Sequence, residues 1–145
     1  MMKHLDHHRI ELYLLFRRVY KHMTRAISSN LNSLGTTDPQ FGVLRTLNEK
    51  PAASMGEISE WVLTCNANLT TLIDRMEKNG LIERSINPDD KRIKSVSLTA
   101  KGRFLAKQAI EPHRNYVAQM FSFLSEIDLN NLEVILKKIE KGVQS

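Results

Sequence analysis

Residues 66–98, NANLTTLIDRMEKNGLIERSINPDDKRIKSVSL, decide the fold. Leu69, Leu72, Ile73 and Met76 fall at the i, i+3, i+4 and i+7 spacing of an amphipathic helix, which the pattern predicts over Asn66–Lys78. Asn79-Gly80 stops it, with glycine where the chain must turn. The period then changes. Leu81–Ile86 is a short β-prone run and Asn87-Pro88-Asp89-Asp90 is rich in turn formers. Arg92–Leu98 alternates apolar and polar residues, as a half-buried strand does. A helix therefore leads straight into a hairpin with a charged loop.

Working upstream, Ser54 opens a further helix, with Glu57 three residues on at the spacing of a capping box. Ile58, Trp61 and Val62 supply its apolar side, and a short break at Leu63-Thr64-Cys65 separates it from the next helix. Before it, Thr36-Thr37-Asp38-Pro39 offers N-cap side chains and a first-turn proline. Phe41, Leu44 and Leu47 line the helix that follows, and Glu49-Lys50-Pro51 ends it. The first segment, Leu5 to Leu34, repeats Leu12, Leu15, Phe16, Val19, Met23, Ile27 and Leu31 at helical steps, with Gly35 just beyond. Downstream, Thr99 caps another long helix, expected to break or kink near Pro112. A final helix is expected after Asp128, with Leu129, Leu132, Ile135, Leu136, Ile139 and Val143 on one side.

The order of elements describes a winged helix-turn-helix: mainly α, with a small β-hairpin wing. Residues 1–145 read as one domain, with the winged lobe at 36–100 and helical dimerisation segments at 1–35 and 101–145. The stripes of Leu12, Leu15 and Val19, and of Leu129, Leu132, Ile135 and Ile139, are too apolar to stand in water. Burial across a two-fold axis would satisfy them, so a homodimer is expected.

Composition sets the outer bounds. With 41% hydrophobic and 26% charged residues the chain is of ordinary globular make-up. Its net charge of +5 suits a polyanionic partner without requiring one. The opening MMKHLDHHRIELYLLFRRVY is interrupted by charge throughout, unlike a signal peptide. No apolar run approaches the ~18 residues of a membrane span. The single cysteine, Cys65, excludes an intrachain disulfide, and the reading is a cytoplasmic protein without a membrane partner. HExxH, GxSxG and phosphate-binding glycine loops are all missing, so no enzyme is expected. His4 and His8, or His7 and Glu11, share a helical face, but no matching ligand cluster accompanies them. Neither a metal nor a cofactor is expected.

Two segments carry binding chemistry. In the helix opened by Asn66, a core-facing Leu69, Leu72, Ile73 and Met76 would turn Ala67, Thr71, Asp74 and Lys78 outward, with Asn68, Thr70 and Arg75 on the flanks. Thr64–Ile73 holds no charge. Short uncharged side chains suit base edges, since Asn donates and accepts and Thr offers a hydroxyl and a methyl; the bland alternative is that they cap and solvate a helix. From Lys91 through Ile110 there are six Lys or Arg residues and no Asp or Glu. Lys91 and Lys94 are expected on phosphates, adding affinity and salt dependence. An ordinary solvated hairpin is the alternative there.

DPQFGVLRTL (38–47), NLTTLIDRMEKNGLIER (68–84) and NPDDKRIKSVSLTAKGR (87–103) closely resemble the MarR family of bacterial regulators, and the flanking long helices extend the likeness to essentially the whole chain. The resemblance implies a dimer whose terminal helices interlock, binding double-stranded DNA at a pseudo-palindromic operator. Recognition helices would enter major grooves about 34 Å apart. It also implies an arginine at the wing tip, Arg92, oriented by Asp90 and reaching the narrow minor groove. Release by a small-molecule effector or by thiol oxidation is implied as well, the effector entering between dimerisation helices and DNA-binding lobe. Cys65 stands where the family pattern has Ser or Thr. A helix N-terminus would favour its thiolate as a sensor, yet the family's peroxide sensors carry their cysteine in the first helix, so a small, partly buried residue is the other reading. A protein-interaction module without sequence-specific DNA contact is the alternative function, opposed by the basic segment.

Overall fold

A computed structural model describes residues 2–62, 66–86, 89 and 94–144, with backbone alone for 2–5, 66 and 67. Among them the order is α1 (Met2–Ser33), α2 (Asp38–Glu49), β1 (Ala53–Ser54), α3 (Met55–Trp61), α4 (Asn66–Lys78), β2 (Ile82–Ile86), β3 (Lys94–Leu98), α5 (Ala100–Gln119) and α6 (Glu126–Val143). The expected mainly helical fold with a small hairpin is thus observed.

Chain ends of the helices follow local chemistry. After α1, Gly35 takes φ +83°, and the Thr36 and Gly35 N–H groups bond back to the Leu31 and Asn32 carbonyls. After α4, Gly80 takes φ +71°, with Leu81 N–H on Met76 and Gly80 N–H on Glu77. Both are Schellman closures, which need a left-handed residue that glycine adopts without strain. Ser54 and Glu57 form the expected capping box of α3. The cap expected at Thr36-Thr37 differs: Thr37 is the N-cap but its side chain makes no capping bond. Pro39, at the second helical position, lacks one of the two N–H groups that such a cap can serve.

The strands pair antiparallel in the order β1-β3-β2, with Arg84 opposite Val96, Ser85 opposite Ser95 and Ile86 opposite Lys94. β1 was not anticipated. It places Ala53 opposite Val96 and so ties the α2–α3 connection to the wing. Two residues, the second of them the N-cap of α3, are too few to show a period.

The chain divides into two compact units, Met1–His113 and Arg114–Ser145. In the first, Val43, Leu44, Leu47, Ile58, Leu69, Ile73, Met76, Ile82, Val96 and Leu98 form the main core. A smaller cluster joins Leu31, Phe41 and Ala109. Leu31 is fully buried there and Ile27 packs against it, so the end of the α1 stripe is satisfied within its own chain. Two further expectations are corrected. α5 continues through Pro112 without the expected break. A proline removes one helical hydrogen bond, and the burial of Ala106, Ala109 and His113 along one face opposes fraying there. α6 begins at Glu126 rather than after Asp128: Ser125 is its N-cap, and Asp128 closes the capping box.

Candidate nucleic-acid interface

The main core leaves one face of α4 in water. Leu69, Ile73 and Met76 are buried, while Asn68, Thr70, Thr71, Arg75 and Lys78 are exposed. Asn68, Thr71 and Arg75 follow at i, i+3 and i+7, a single outward stripe. It presents amide, hydroxyl and methyl groups first and a cation one turn later. Asn66 and Ala67 head the helix, and their side chains lie outside the described residues. Cys65, Asp90, Lys91 and Arg92, which carry the wing-tip and thiol expectations, also lie outside them.

Asp74 faces outward as expected and also makes a contact that the sequence did not show. It is exposed, yet it pairs with Arg84 of β2, which also takes Glu77: Nη2 lies 2.5 Å from Asp74 Oδ1 and Nη1 lies 2.7 Å from Glu77 Oε2. Hydrogen bonding to Asp74 holds the guanidinium pKa above its ordinary value, against the opposing effect of burial. One planar cation thereby fixes the rotation of α4 against the hairpin, and Thr70, a turn before Asp74, lies on that same flank. Sequence reasoning missed Arg84. The signal was present as two acids three residues apart on one helix, followed by an arginine in the next strand.

On the hairpin, Lys94 is exposed at the start of β3, and the Ser85 and Ser95 hydroxyls bond across the strands at 2.7 Å. Two cations of the basic segment make contacts within the fold. Lys101 donates to the Asn79 carbonyl at the end of α4, and Arg103 to the Leu98 carbonyl. Thr99 does double duty, donating to the Gly80 carbonyl and accepting from the Gly102 N–H to cap α5. Lys50 and Glu57 form an ion pair beside the α3 cap, and hydrogen bonds from Lys50 and then Ser54 hold the Glu57 carboxyl below its usual pKa.

Within the first unit, Gly35, Gln40, Asn79, Leu81, Lys101, Phe104 and Leu105 line an open recess of about 380 Å³. Leu12, Leu15 and Val19 on α1 are each about half exposed. In the second unit, Leu129, Ile135 and Ile139 are exposed on α6 and Leu132 is half-buried. His7 meets Glu11 as an exposed helical pair, and the described residues contain no group of three or more potential metal ligands. None of their helices is long and apolar enough to cross a membrane.

The three helices α2, α3 and α4, followed by the antiparallel pair β2 and β3, define a winged helix-turn-helix protein. A sequence model of the MarR family matches residues 36–94. The chain is 30% identical over 129 residues to an uncharacterized HTH-type transcriptional regulator of Bacillus subtilis, YkoM, covering 89% of this chain and 84% of that one. It is also 30% identical over 132 residues to the transcriptional repressor MprA of Escherichia coli, covering 87% and 75%. A crystal structure of a mutant MarR from E. coli complexed with operator DNA matches with a TM-score of 0.79 at 27% identity, covering 91% of this chain and 95% of that one. The chain belongs to the MarR family and is a transcriptional regulator.

Proposed function

We infer that the chain represses transcription by binding a pseudo-palindromic operator as a homodimer, and that a small molecule releases it. The outward stripe of α4 carries this reading: Asn68, Thr70 and Thr71 offer base-reading groups on a helix whose rotation Arg84 holds. Lys94 and the wing residues Lys91 and Arg92, with Asp90 orienting the latter, add phosphate and minor-groove contacts. Dimerisation joins the apolar stripes of Leu12, Leu15 and Val19 and of Leu129, Leu132, Ile135 and Ile139. The repressor assignment is supported by the similarity to MprA, and operator binding by the likeness to DNA-bound MarR. The recess floored by Leu81, Phe104 and Leu105 supports an effector entering at the base of the lobe.

The test separates the two binding elements. Duplexes selected from a random pool are titrated at several salt concentrations against specific and scrambled sequences. Asn68→Ala or Thr71→Ala should relax discrimination and leave the salt slope nearly unchanged, whereas Arg92→Ala should cost about 1–3 kcal/mol and flatten the slope. Equal losses on both duplexes for the helix variants would refute base reading by α4.

A further inference from the structure

We propose that His113 is a proton-operated latch joining α5 to α1 and α2, and that its protonation in mild acid loosens the seat of α4 and weakens DNA binding. The second half rests on the DNA-binding reading above; the latch itself does not.

His113 is 8% exposed, while His7, His8 and His22 lie on the exposed surface of α1. Its Nδ1 lies 2.7 Å from Oδ1 of Asn30, a partner 83 residues earlier in the chain. With the amide oxygen accepting, Nδ1 carries the proton of the neutral ring and Nε2 is bare. Phe41 of α2 meets the imidazole in a T-shaped contact, centroids 4.6 Å apart. Leu31, Phe41 and Ala109 are buried around this junction. A second proton on the ring would put a cation there. From α2, Asp38 favours that charge and Arg45 opposes it; the α1 partner Asn30 is neutral, and Glu111 and Arg114 flank His113 in the sequence of α5. Burial, with Arg45 acting in the same direction, outweighs Asp38 and holds the pKa below the ordinary 6.5.

The direction of the pH effect follows. Below about pH 6.5 the unfolded chain takes up a proton at His113 that the folded chain resists. Stability from this site is therefore full above 6.5 and is lost as pH falls from there toward the lower folded value. The consequence can reach α4 because α2 serves both junctions. Phe41 touches the imidazole, while Val43, Leu44 and Leu47 share the main core with Leu69, Ile73 and Met76. A conformer with α2 loosened would bind protons better and seat α4 less well, so acid shifts the population toward it.

The experiment uses the full-length chain. Imidazole resonances are followed by NMR from pH 8 to 5, and urea stability and affinity for the selected operator duplex are measured over the same range. Two variants accompany the wild type: His113→Gln, which can still donate to Asn30 without titrating, and Asn30→Asp, which pairs the imidazolium. His113 should titrate below the ordinary histidine value of 6.5. Operator affinity should fall about threefold or more between pH 7.5 and 5.5 beyond any fall in His113→Gln, the equivalent of half a pKa unit. Asn30→Asp should raise the titration and suppress the acid loss. Titration of His113 at or above 6.5 would overturn the latch without recourse to any variant. Identical pH profiles for wild type and His113→Gln would overturn its effect on DNA. Absence of duplex affinity at every pH would instead defeat the DNA-binding reading and the second half with it, while the NMR titration still decides the latch.

Discussion

Replacing Arg84 by Met removes the cation that joins α4 to β2 but keeps an unbranched apolar stem of similar reach. The magnitude follows from the surroundings. The Arg84 side chain is 27% exposed, and its partners Asp74 and Glu77 are 60% and 40% exposed. Fully exposed pairs contribute about 0.2–1 kcal/mol each, and water around both acids keeps these two near that range. A shared, partly buried guanidinium in two charge-assisted bonds moves the sum toward its upper end. We expect a loss of about 1–2 kcal/mol, large enough to shift a urea midpoint clearly. A cycle of Arg84→Met, Asp74→Asn and the double variant, unfolded in urea at low and high salt, should show a coupling of about 0.5–1 kcal/mol that shrinks with salt. The same variant should bind specific and scrambled duplexes more weakly, because a helix free to roll presents neither its base-reading nor its phosphate-binding side chains in register. Zero coupling together with wild-type affinity would refute the idea that Arg84 orients the recognition helix.

Gly102→Ala should be severely destabilising, by about 3 kcal/mol or more, because a Cβ there would lie 1.9 Å from the Leu81 carbonyl oxygen and 3.2 Å from Leu98 Cδ2; an unchanged thermal midpoint would exclude this close approach. Leu132→Glu combined with Ile135→Glu should leave a monomer by light scattering that no longer binds the full operator, since charge in the α6 stripe opposes its burial against a partner. A monomer with wild-type operator affinity would remove dimerisation from the mechanism.

Much was legible from residues a few positions apart. The limits of α4, the glycine closures at Gly35 and Gly80, the Ser54–Glu57 box and the Thr99 cap each depend on bonds spanning no more than a turn or two, so composition and spacing reveal them. The buried face of α4 was equally legible, because a 3.6-residue period admits only one apolar side. Pro112 misled for the converse reason: its local preference is to interrupt a helix, and packing of the face around it prevailed.

By itself the sequence determined a helix-turn-helix with a wing, the side of α4 that faces water, and membership of the MarR family, since each is written in local periodicity or in a contiguous motif. Only the tertiary structure decided which groups meet across the chain. The pairing of β1 with β3, the capture of Asp74 and Glu77 by Arg84, the bonding of Lys101 and Arg103 to backbone carbonyls, and the burial of His113 against Asn30 all join residues distant in sequence. Such contacts depend on where hydrophobic burial brings separate helices and strands together, and no period or spacing along one segment encodes that position.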